Sequence, residues 1–159
     1  MSALGPAAGQ SARAGALLAA SLVLLSAQPG ASTPMDDASM TDALAAFAER
    51  GPQGAALRLD AATDFAWDRV HGFPGGATIE EMRRELGAGF KLDGAVKGRL
   101  TPHSALLVFL LGGEVAREAV VGPPLFLVGL TGRGYGPDEA ILMVHTRDPG
   151  PYTALRFAD

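Results

Sequence analysis

The chain contains no cysteine. That absence excludes disulfide staples, thiolate nucleophiles, thiolate metal centres and lipid attachment through a cysteine, so the fold must be held by core burial alone. Basic clusters are equally missing. Formal net charge is −4, and no stretch interleaves aromatic and basic residues, which argues against nucleic-acid binding. Histidine is scarce, and His71, His103 and His145 have no second histidine at ligand spacing, no His-Glu-x-x-His and no calcium-loop pattern beside them. The sequence therefore offers no metal site and implies no cofactor.

Charge is also nearly absent from the N-terminal end, where Arg13 is the only charged side chain in the first 35 residues. The apolar run that follows it, Ala14 to Ala27, is 14 residues long, short of the about 20 that a bilayer-spanning helix needs. A basic residue, a short apolar core and Leu25-Ser26-Ala27 read as a signal peptide over 1–27, with cleavage before Gln28. A buried N-terminal helix is the alternative. Pro29, Gly30, Ser32, Thr33 and Pro34 make 28–37 a flexible tether, leaving 38–159 as one globular domain. The expected destination is the periplasm or the cell exterior. Removing Arg13 with the leader takes the formal net charge from −4 to −5. Eleven of the 13 basic residues are arginine.

In the mature region, Met40, Leu44 and Phe47 fall on one side of a helix from Met40 to Arg50, with Thr41 or Asp42 as its cap and Gly51-Pro52 as its stop. Ala56 to Leu59 is a short strand. Phe65 to Phe73 reads as a longer one, with Phe65, Trp67, Arg69, His71 and Phe73 on one face and Ala66, Asp68, Val70 and Gly72 on the other. After Pro74-Gly75-Gly76, Thr78 and Glu81 form a capping box for a helix from Ile79 to Leu86, and Gly87 takes the left-handed position behind it. Ile79, Met82 and Leu86 form its apolar face. A weak strand is expected at Phe90 to Leu92.

Ala105 to Leu111 is an uninterrupted apolar run, typical of a strand covered on both faces. Gly112-Gly113 signals a hairpin to Glu114 to Val121, which could alternatively be a short helix. A two-residue loop pairs Leu111 with Glu114 and Leu107 with Glu118. That register puts Val115, Arg117, Ala119 and Val121 on the face of Leu106, Val108 and Leu110. Leu125 to Leu130 is apolar, Gly132 to Pro137 is a glycine-rich loop, Ala140 to Thr146 is a strand, and Asp148-Pro149-Gly150-Pro151 leads to a closing strand from Tyr152 to Phe157. The expected fold is α+β: one antiparallel sheet of about four to six strands with two helices packed against it.

No catalytic constellation emerges. Gly132, Gly134 and Gly136 lack the lysine and the following helix of a phosphate loop. His103 and Ser104 are neighbours on extended chain and point to opposite sides. Asp60, Asp64 and Asp68 recur every four residues, a spacing without meaning where the chain is extended. The residues left as candidate binding groups are Trp67, Asp68, Arg69 and His71. Trp67 has a core role as its alternative, and Asp68, if buried under a helix, would pair with Arg83 or Arg84.

Phe65-Ala-Trp-Asp-Arg-Val70, the Phe-Pro-Gly stretch at 73–75 and Thr78-Ile-Glu-Glu-Met-Arg-Arg-Glu-Leu-Gly87 resemble an uncharacterised family of small exported bacterial proteins and lipoproteins. The likeness runs over roughly residues 60 to 121. The chain departs from that pattern at Gly75-Gly-Ala-Thr78, where the family has Pro-Tyr-Thr, and it lacks the anchoring cysteine of the lipoprotein members. A looser likeness reaches the envelope domains related to β-lactamase-inhibitor proteins and outer-membrane assembly lipoproteins. These resemblances imply export and an α+β fold but assign no activity. The leading expectation is a non-enzymatic binding domain for an unknown protein or envelope component. The alternatives are a small hydrolase or ligand-binding enzyme using Arg69 and His71, and a structural subunit assembling through an edge strand, with Tyr152 to Phe157 as that edge.

Overall fold

The structure, a computed structural model, describes residues 37–147 and 152–158. The expected signal peptide and cleavage site, the expected tether up to residue 36, the 148–151 connection and residue 159 lie outside the described residues. In chain order the elements are helix α1 (Asp37–Arg50), strand β1 (Ala56–Arg58), a 3-10 turn (Leu59–Ala62), strand β2 (Arg69–Pro74), helices α2 (Ile79–Leu86) and α3 (Gly94–Arg99), and strands β3 (Ala105–Leu111), β4 (Glu114–Val121), β5 (Leu125–Val128), β6 (Gly134–Tyr135), β7 (Ile141–Arg147) and β8 (Thr153–Phe157).

The fold is α+β, but its strands form two sheets of four rather than one. The first runs β4-β3-β2-β6 and the second β1-β7-β8-β5, with β5 and β8 parallel and every other pair antiparallel. The reason lies in β3. Its residues from Ala105 to Leu110 are all buried, so each face of the strand needs a cover of its own. Leu107 and Phe109 join Leu142, Val144, Leu155 and Phe157 of the second sheet in one core. Leu106, Val108 and Leu110 join Met82 of α2, Val96 of α3 and Phe90 between them in another. The order is therefore sheet, sheet, helices. Helix α1 packs against β4 of one sheet and β8 of the other, burying Met40, Leu44 and Ala48 in the inter-sheet core.

Several local expectations are corrected. Helix α1 begins at Asp37, so Thr41 and Asp42 sit inside it and do not cap it. The strand expected from Phe65 starts only at Arg69. The indole N–H of Trp67 donates to the Thr63 hydroxyl at 2.9 Å, and that hydroxyl donates to the Leu59 carbonyl at 3.1 Å, holding 63–68 as a bent approach to β2. Trp67 consequently lies in the inter-sheet core with Val70, on the side opposite Phe73. Phe90 to Leu92 is not a strand; Asp93 instead caps a third helix, accepting from the N–H groups of Ala95 at 2.8 Å and Val96 at 3.3 Å.

The hairpin forms as a pair of strands, Leu111 facing Glu114. Beyond it the register slips, because Leu110 faces Val115 and Phe109 faces Arg117, leaving Ala116 as a bulge. Leu107 therefore meets Ala119, and Val108 meets Glu118. One extra residue exchanges the two faces of a strand, which turns Ala119 and Val121 into the inter-sheet core. The glycine-rich loop contributes β6, a two-residue strand on β2. Strand β8 lies between β7 and β5 and is not an edge.

Helix α2 has the bounds and the capping box read from the sequence. Gly87 has the positive φ expected behind it, 101°, but with ψ 152° it leaves the helix extended instead of left-handed.

Candidate functional site

The four candidate binding residues do not converge. Trp67 is 8% exposed, set edge-on against Phe109 at 5.4 Å between ring centroids. Asp68 is exposed and structural. Its N–H donates to the Leu110 carbonyl at 2.8 Å and its Oδ2 accepts the Gly112 N–H at 2.6 Å, so this carboxylate pins the β3–β4 turn, where Gly112 and Gly113 both have positive φ. No pairing with Arg83 or Arg84 is made by this outward-facing group.

Arg69 and His71 do come together. A Cβ at Gly134 would stand 2.7 Å from His71 Nε2 and 2.8 Å from Arg69 Cδ, so glycine at this position lets both side chains close over β6. His71 is buried, and its Nδ1 donates to the Gly132 carbonyl at 2.7 Å. The ring lies parallel to Phe73 with centroids 6.3 Å apart. These contacts lock the imidazole between β2 and the loop before β6. None of the four candidates lines the four main cavities of the described residues. His103 is exposed in the loop after Pro102, and His145 is exposed at a bulge in β7. Among the described residues no three His, Asp or Glu side chains gather as a metal site would require.

A concavity clear of all four candidates lies beneath α2 and α3. It is an open groove of about 520 Å³. Its floor is aliphatic, made by Ile79 and Met82 from α2, Leu92 from the connecting loop and Leu100 from the end of α3. Its rim carries Arg83, Lys91 and Lys97. Local sequence explains the arrangement. The capping box starts α2 at Ile79 and so orients Ile79, Met82 and Leu86 toward the sheet, while Arg83, one position on from Met82, stays outside. Arg83 Nε donates to the Phe90 carbonyl at 3.0 Å, tying the loop to the helix. Asp93 starts α3 and its N–H donates to Glu118 on β4 at 3.1 Å, and Lys97 on this helix lines the same groove as Lys91.

Gly75 supports the same region from below, since a Cβ there would run into the Thr101 carbonyl oxygen. No carboxylate is among the described lining residues. A second concavity of about 350 Å³ adjoins Lys91 on its other side, between Leu86, Phe90, Leu110 and the exposed Val115.

The groove was not visible as a site in the sequence. A signal was present: apart from eleven arginines the chain has two lysines, and both fall within seven residues of each other on this rim.

Two carboxylates elsewhere are held below their ordinary pKa. Glu81 is lowered chiefly by the Thr78 backbone N–H at 2.7 Å and then by the Thr78 hydroxyl. Asp60 is lowered by Arg58, whose guanidinium also reaches Asp138 at 3.0 Å and is correspondingly raised. Both are exposed structural pairs. Among the described residues no helix is long and apolar enough to cross a membrane. Comparison with known proteins adds no assignment: no family model, no curated protein and no solved structure matches the chain.

Proposed function

We propose that the chain is an exported, non-enzymatic binding domain whose ligand-facing feature is the groove beneath α2 and α3. The observation that carries the reading is the groove itself, an aliphatic floor ringed by three cations on an otherwise acidic chain. The Arg13 and Ala14–Ala27 pattern supports export, and the likeness to small exported bacterial proteins agrees with it. A hydrolase built on Arg69 and His71 would need them to face a cleft, whereas His71 is buried and committed to Gly132. Assembly through Tyr152 to Phe157 would need an open edge, whereas β8 is hydrogen-bonded on both sides.

The test is site-specific photo-crosslinking in the producing cell. A photoreactive side chain in place of Ala77 or Leu100 on the groove should give a discrete adduct in the envelope or secreted fraction. The same group in place of Gln53 or Asp138, away from the groove, should not. Equal labelling from all four positions would remove the groove as the functional surface.

A further inference from the structure

We infer that the groove takes a single-chain amphiphile with an anionic head, a carboxylate or a phosphate monoester on an unbranched aliphatic tail. The inference rests on the groove being the binding surface. The groove volume of about 520 Å³ falls within the range of small-molecule sites. Its described lining contains no aromatic ring and no hydroxyl or amide side chain. Stacking on a nucleobase and hydrogen bonding to a sugar are therefore not provided for. What the lining does offer is branched apolar surface from the half-buried Ile79, Leu92 and Leu100 above the buried Met82, against which a flexible hydrocarbon tail can pack.

The rim selects the head. Arg83, Lys91 and Lys97 line one concavity that has no carboxylate among its described lining residues, on a chain of formal net charge −4. An anionic head is drawn to cations gathered in this way. Neither lysine has a carboxylate partner among the described residues. Arg83 is braced by its Nε bond to Phe90, and a braced guanidinium at the edge of an apolar floor suits a planar carboxylate or a phosphate.

Titration calorimetry on the purified exported protein, below the micellar concentration of each probe and at neutral pH, tests this. Dodecanoate and dodecyl phosphate should each bind with one-to-one stoichiometry, and the preferred one of the two identifies the head. Decanoate should bind roughly tenfold more weakly than dodecanoate, the loss expected for two methylenes. Dodecanol and dodecylammonium should bind about tenfold or more below dodecanoate, because they forgo the charge-assisted contacts.

The exposed pair Lys91→Gln with Lys97→Gln should leave thermal stability and dodecanol binding unchanged and weaken both anions about tenfold. If dodecanol binds as tightly as dodecanoate and the lysine variant is indifferent, the anionic head is overturned while the groove still stands as a binding surface. If no amphiphile binds, or if Leu92→Glu on the floor leaves dodecanoate binding intact, the ligand class is overturned. The crosslinking comparison then decides separately whether the groove binds anything.

Discussion

At the scale of single residues, neighbours in sequence have been given unlike tasks. Trp67 and Asp68 are adjacent, yet one fills the inter-sheet core and the other secures a turn 44 residues away. Trp67→Ala should cost about 3–5 kcal/mol, since it removes a large buried ring packed on Phe109 and the indole N–H donated to Thr63; chemical denaturation measures it, and a loss near zero would place the ring at the surface. Asp68→Ala should cost about 1 kcal/mol, as expected for an exposed hydrogen bond from a backbone N–H to a carboxylate. Its signature is local: amide exchange at Gly112 and Gly113 should accelerate while the exchange of β7 and β8 stays slow. The expected face of Phe65, Trp67, Arg69, His71 and Phe73 is divided, with Trp67 and Phe73 on opposite sides of the sheet, because alternation assumes an extended chain and the bond from Trp67 to Thr63 bends 63–68 away from that geometry.

At the scale of elements, legibility followed the range of the forces involved. Helix α2 is specified by contacts three and four residues apart, and its bounds match those read from Thr78, Glu81 and Leu86. The β3–β4 pair is specified near its turn by Gly112-Gly113 and beyond it by what must be buried, so the bulge at Ala116 could not be read from the hairpin alone. Helix α3 escaped notice because its six residues, Gly-Ala-Val-Lys-Gly-Arg, include two glycines and are too few to show a helical period, so that it depends on the Asp93 cap and on packing against β3 and β4.

The capping box of α2 also makes a pH prediction. Glu81 is held below the ordinary carboxylate value of 4.5 in the folded chain, so near and below that pH the unfolded chain binds the proton more readily than the folded one. Its stabilising contribution is therefore complete above 4.5 and is lost as pH falls through the lower folded value. Melting temperatures of the native chain and of Glu81→Ala should differ at neutral pH and converge in acid. A gap that is constant with pH would mean that the carboxylate charge contributes nothing.

At the scale of the whole molecule, composition was enough to exclude disulfides and the order of strands and helices to foresee an α+β fold, but neither counted its sheets. The apolar faces of β7 and β8, carried by Leu142, Val144, Leu155 and Phe157, alternate in the way that a one-sheet protein would also show. What decides for two sheets is that β3 is buried on both faces and the helix layer can cover only one. The groove is a product of the same layering. Two short helices and a loop of glycine and lysine cover the first sheet incompletely, so part of their aliphatic surface stays open between Arg83, Lys91 and Lys97.

The position of the single tryptophan has a spectroscopic consequence. Trp67 packs on the Phe109 side of the first sheet, and the groove lies over the Leu106 and Val108 side. Its emission should therefore report loss of the inter-sheet core and remain unchanged in wavelength when the groove fills. Saturating dodecanoate should raise the temperature at which that emission shifts red, through preferential binding to the folded chain, without altering the spectrum of the folded protein itself. The chain thus carries an internal fluorophore that serves as a thermometer of folding and is blind to occupancy.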